Sequence, residues 1–77
     1  MSVLLKRSFT LAGHRTSVAL EPEFWEALAT VAGEKRQALS ALVAEVDATR
    51  AGERPLASAL RVFALKTAVA GPRINVP

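Results

Sequence analysis

Between Arg15 and Trp25 a period-two pattern gives way to a helical one, and this switch constrains the fold more than any other stretch. Thr16, Val18 and Leu20 alternate with Arg15, Ser17 and Ala19. An extended segment would therefore turn its β-branched and apolar side chains to one face and its basic and small ones to the other. Glu21-Pro22 ends that pattern. Proline's fixed φ suits the first turn of a helix, its missing N–H would be orphaned there anyway, and Glu21, Glu23 and Glu26 put negative charge at the positive end of the helix dipole. A strand thus runs directly into a helix. Its backbone N–H and C=O groups need a ladder, because each group left unpaired in a buried place costs about 1 to 3 kcal/mol. Either another stretch of the same chain or the same stretch of a second copy can supply it.

Size favours the second copy. Seventy-seven residues make one small domain, near the length at which oligomerisation or staples become useful. The chain has no cysteine and one histidine, which excludes disulfides and a Cys/His zinc site, while 51% of its residues are hydrophobic. A shared interface is the expected use of that apolar content. No apolar run is long enough to span a membrane, and Val3-Leu4-Leu5 is too short for a signal-peptide core, so a cytoplasmic protein is expected. The net charge is +3, and its location is informative. Lys6, Arg7 and Arg15 stand in a segment without acids, whereas from Glu21 onward seven basic residues balance seven acidic ones. A cationic N-terminal portion favours polyanions, and it also simply favours solubility.

In chain order, residues 1–13 are read as an N-terminal arm. Within it Phe9 and Leu11 alternate with polar neighbours, and Ala12-Gly13-His14 could form a turn, so a hairpin within the chain, and with it a monomeric unit, is the rival to pairing between copies. From Pro22 to about residue 34, Phe24, Trp25, Leu28, Val31 and Ala32 recur at helical spacing. A second helix is expected from about Leu39 to Arg50, its Leu39, Leu42, Val43 and Val46 packing on Phe24, Leu28 and Val31. Gly52 and Pro55 mark a linker. A third helix from Leu56 to Ala70 carries apolar residues over an arc so wide that it needs cover on two sides, and residues 71–77 read as an extended tail.

No catalytic constellation emerges. His14, between Gly13 and Arg15, has no orienting partner or nucleophile in its pattern, Glu45 and Asp47 do not share a helix face, and the isolated glycines form no phosphate loop. Trp25 reads as a core anchor. No enzyme activity, metal or cofactor is expected. The strand is the part with chemistry. A two-stranded ribbon fits the major groove of DNA, where Arg bonds the O6 and N7 of guanine, Ser serves several bases and an Ala methyl touches thymine.

Strand, Glu21-Pro22 start, helix with Trp25 and Leu28, turn, and Ser40-Ala-Leu42-Val43 opening a second helix together resemble the ribbon-helix-helix DNA-binding domain, the class of the Arc and methionine repressors. More narrowly, Arg7-Ser8, Gly13-His-Arg-Thr-Ser17, Leu20-Glu-Pro-Glu-Phe-Trp25, Asp47 and Ser58-Ala-Leu-Arg61 are similar to a group of small bacterial proteins of this type. The likeness spans about residues 7 to 66, and 13 to 25 is its specific part. It implies a mostly α fold with one short N-terminal strand, built as an intertwined homodimer around an intermolecular antiparallel ribbon, with the third helix as an addition over the domain 14–70. It implies base contacts by Arg15, Ser17 and Ala19. Thr16, Val18, Leu20, Trp25, Leu28, Leu42, Val43 and Val46 would form the dimer core. Leu39, Ser40 and Ala41, opening the second helix, would hold phosphate through free N–H groups, helped by Lys35, Arg36, Lys6 and Arg7. Two positions depart from the family pattern: Arg36 stands where the turn usually carries glycine, and Ala38 where a polar cap is usual. The expected function is sequence-specific binding of double-stranded DNA by a homodimer, extensible to a tetramer through the third helix, acting as a transcriptional repressor. The alternative is an adaptor or antitoxin-like module docking on a second protein through residues 56–77.

Overall fold

The computed structural model describes residues 3–70, which form five elements: β1 (Leu5–Leu11), β2 (His14–Leu20), α1 (Pro22–Glu34), α2 (Leu39–Thr49) and α3 (Leu56–Ala70). The strands are antiparallel neighbours in one two-stranded sheet, in a register that sets Leu5 opposite Leu20, Ser8 opposite Ser17 and Leu11 opposite His14. Ala12 and Gly13 join them at φ +51° and +82°, the sign pattern of a type I′ turn, whose twist matches that of the flanking strands.

Two expectations are corrected here. Residues 5–11, assigned to an arm, are a strand, so the single expected strand is a hairpin. The ladder of β2 is supplied along one edge by β1 of the same chain, so a second copy is not needed to satisfy that edge. The physical reason lies in β1 itself: Phe9 and Leu11 alternate with Ser8 and Thr10 as strictly as Val18 and Leu20 do with Ser17 and Ala19, and both sets of apolar side chains are buried. The other edge of β2 has no strand beside it among the described residues.

The helices meet the sheet's inner face. Trp25, Leu28 and Ala32 of α1, Leu42, Val43 and Val46 of α2, and Leu56, Ala59, Leu60 and Ala64 of α3 form one buried cluster with Phe9, Leu11, Val18 and Leu20. Of the residues expected in a dimer core, all but Thr16 are already buried within one chain; Thr16 points inward but is half-buried. Phe24, Val31 and Leu39 pack partly buried against this cluster. The wide apolar arc of α3 resolves into a buried side on the chain's own core and an outward side where Leu65 and Val69 are exposed. The expected tail at 71–77 lies outside the described residues.

The end of α1 explains the first departure from the family pattern. Arg36 donates its N–H to Gly33 O (3.1 Å) and Gln37 to Ala32 O (2.9 Å), the paired bonds of a Schellman motif that places Arg36 in the left-handed region at φ +56°. An arginine holds the position that glycine normally fills. At the start of α2, Ala38 offers no side-chain cap, as its methyl dictates.

Candidate nucleic-acid interface

Register and pleat determine what the hairpin shows to solvent. Directly opposed residues share a face, so Lys6 and Ala19, Ser8 and Ser17, and Thr10 and Arg15 stand in three rows on the side away from the helices. All are exposed except Ala19, which is half-buried. The Ser8 and Ser17 hydroxyls lie 3.1 Å apart, and Arg15 Nη1 donates a long bond of 3.4 Å to Thr10 Oγ1. The surface is therefore a ribbon face of hydroxyls with a cation at each end and no acid. Arg15, Ser17 and Ala19 point outward while Val18 and Leu20 are buried, as the alternation predicts. Lys6 joins them. Ser8 and Thr10 belong to the same face and were not singled out from the sequence, although the alternation of Phe9 with Leu11 already carried that signal.

Arg7 is placed differently. It faces inward opposite Val18, at a position where the pattern would put an apolar side chain, and its guanidinium carbon lies 5.3 Å from the centroid of the Trp25 ring. The indole in turn donates from Nε1 to Leu5 O at 2.8 Å and meets Phe9 at a centroid distance of 6.0 Å. Trp25 thus fastens the start of β1 to α1 by one hydrogen bond and two ring contacts. Beside it, Arg61 of α3 bonds Glu21 Oε1 through Nε at 3.0 Å and lies 5.7 Å from the Phe24 ring, joining α3 to the strand–helix junction. The Arg61 hydrogen bond, followed by one from the Glu21 backbone N–H, holds the Glu21 carboxyl below its ordinary value of 4.5.

The second candidate region is the turn into α2. Leu39 and Ser40 have no hydrogen-bond partner for their backbone N–H groups among the described residues, while Ala41 donates to Ala38 O (3.0 Å). The Ser40 side chain is exposed. Lys35 is committed to Glu45 at 2.9 Å, and Gln37 takes the other oxygen of that carboxylate at 3.1 Å. These two donors, Gln37 first, hold Glu45 below its ordinary value of 4.5. Arg36 is exposed and makes no ion pair among the described residues, so it is the freer of the two turn cations.

Among the described residues no cluster of histidine and carboxylates could hold a metal ion, and no helix is long and apolar enough to cross a membrane. The hairpin thus carries a polar face with Lys6 and Arg15 at its ends on a small helical body. The family model for the ribbon-helix-helix domain matches residues 4–68, and the chain belongs to that family. Its members are in general DNA-binding transcription regulators. No curated protein and no solved structure matches the chain.

Proposed function

We propose that the chain is a homodimeric, sequence-specific DNA-binding protein that represses transcription in the bacterial cytoplasm by occupying its site. The observation that carries this reading is the outer face of the hairpin, where Arg15 and Lys6 flank hydroxyls without a carboxylate, in a chain of a DNA-binding family. The dimer forms through the free edge of β2, giving the strand order β1-β2-β2-β1 across two copies. Strands lie about 4.8 Å apart and the major groove is about 12 Å wide, so the two central strands enter it and each β1 lies roughly 7 Å from the centre, against the groove walls. Arg15, Ser17 and Ala19 of both copies then meet base edges, while Lys6, from the flanking strands, meets phosphate. Leu39 and Ser40 at the start of α2, whose N–H groups are unpaired among the described residues, hold a further phosphate with Arg36. Ala41, Lys35 and Arg7 drop out of the expected phosphate contacts, because the Ala41 N–H donates to Ala38 O, Lys35 pairs with Glu45 and Arg7 stacks on Trp25.

The adaptor alternative has less support, because α3 places Leu56, Ala59, Leu60 and Ala64 in the chain's own core. The test is Arg15→Ala against a DNA site obtained by selection from random sequence. The variant should keep the dimer mass in sedimentation and lose about 1 to 3 kcal/mol of discrimination between selected and random duplex. An unchanged preference removes Arg15 from the reading face, and a monomer at all concentrations removes the strand order above.

A further inference from the structure

At the far end of α2 the surface dips into a cavity of about 380 Å³ between α2, the linker after it and α3. Its floor is apolar: Val46, Ala59, Val62 and Phe63, with Val46 and Ala59 buried and the other two half-buried. Its mouth is cationic, edged by Arg50, Arg54 and Lys66. Arg50 is held in place, bonding Asp47 through Nε and the Arg54 carbonyl through Nη1, both at 2.8 Å. The Arg54 and Lys66 side chains make no ion pair or hydrogen bond among the described residues and are exposed. Glu45, the one acid in the wall, is ion-paired with Lys35 and accepts a hydrogen bond from Gln37.

We infer that this cavity is a binding site for a small organic anion with an apolar body, a medium-chain or aryl-alkyl carboxylate. An apolar interior with a few convergent polar groups is the anatomy of small-molecule sites, and the volume falls in their usual range of roughly 300 to 1,000 Å³. The distribution of charge selects the guest's sign and shape. A plain phosphate would be served by the mouth but would waste the floor, and an alkyl ammonium would fit the floor but meet the uncompensated charges of Arg54 and Lys66, Arg50 being paired with Asp47. A carboxylate on an eight-carbon chain satisfies both.

The experiment is an amide NMR titration of the whole protein, with no DNA present, so its result is separate from that of the DNA-binding reading. Octanoate below its micelle concentration is the probe, with octylammonium and inorganic phosphate as comparators. Octanoate should produce saturable shifts at the amides of Val46, Ala59, Val62 and Phe63, in the millimolar range and with one site per chain, while the comparators leave those amides in place. Arg54→Glu with Lys66→Glu changes only exposed side chains and should weaken octanoate at least about tenfold while the spectrum elsewhere stays the same. Equal shifts with octylammonium, equal shifts with phosphate, or no saturation each overturn the inference. So do shifts at these amides that follow protein concentration without any ligand, which would mean that a second copy covers the cavity.

Discussion

Arg36 is the residue at which stability and proposed function pull apart. An L-residue in the left-handed region costs roughly 1 to 2 kcal/mol relative to glycine, and the Schellman bonds from Arg36 and Gln37 hold it there regardless. Glycine's extra freedom in the unfolded chain returns part of that gain, so Arg36→Gly should stabilise the fold by about 0.5 to 1 kcal/mol, a melting point higher by several degrees. If the exposed guanidinium meets phosphate, the same substitution weakens DNA binding and lowers the slope of log affinity against log salt by about one. Thermal melting and a salt series on one protein read both effects. Higher stability with unchanged affinity would leave Arg36 without a DNA role. Trp25 is the opposite case, a residue whose structural duty is plain. Its ring, expected as a core anchor, is buried, but its Nε1 bond to Leu5 O and the Arg7 guanidinium beside the ring depend on β1, the strand of the hairpin that stood as the rival to an N-terminal arm.

At the level of elements, the start of α1 and the break between α2 and α3 are legible from strong signals, whereas the turn from α1 to α2, with Arg36 and Ala38 in place of a glycine and a polar cap, is marked only by the loss of period. Pro22 opens α1, and the linker at Gly52 to Pro55 separates α2 from α3 as expected. The hairpin was harder for physical reasons. Its turn is Ala12-Gly13, and alanine at φ +51° is a poor resident of a type I′ turn, so the Asn-Gly or Asp-Gly signature is missing. Arg7 also puts a cation on the inner face, a break in the pattern that makes sense only once Trp25 lies beneath it. The outward face of β2 could be read from period two alone, whereas the contribution of Ser8 and Thr10 required the cross-strand register. The role of α3 turned on whether its wide arc was covered by its own chain. Leu60 is fully buried and Leu56 nearly so, each contributing about 2 to 3 kcal/mol of burial, and Ala59 and Ala64 add to that. Domains of this kind are stable by only about 5 to 15 kcal/mol in total. Ending the chain at Gly52 should therefore abolish cooperative unfolding by circular dichroism and collapse the amide dispersion. A truncated chain that still melts cooperatively would show α3 to be an accessory to a smaller core.

At the scale of the molecule, two groups of charges among the described residues have different sensitivities. The cations of the ribbon face no acid and are free to meet a polyanion, so binding should fall steeply with salt as counterions cease to be released. The carboxylates of Glu21 and Glu45 instead tie elements together: Glu21 binds Arg61 across the junction of β2, α1 and α3, and Glu45 binds Lys35 and Gln37 across the turn between α1 and α2. Both groups titrate below their ordinary value of 4.5 in the folded chain. The unfolded state then binds more protons than the folded state in that region, so stability rises with pH there. The contribution of both pairs is present above pH 4.5 and is lost as pH falls through the lower folded values. Both carboxylates are solvent-accessible, and the effect is correspondingly modest. Urea midpoints measured downward from neutral pH should hold steady and then decline below the ordinary carboxylate value. Glu21→Gln with Glu45→Gln should start from a lower midpoint and decline less. A double variant whose midpoint falls in parallel with that of the parent would assign the acid sensitivity to other carboxylates and leave the Arg61 and Lys35 pairs without a part in it.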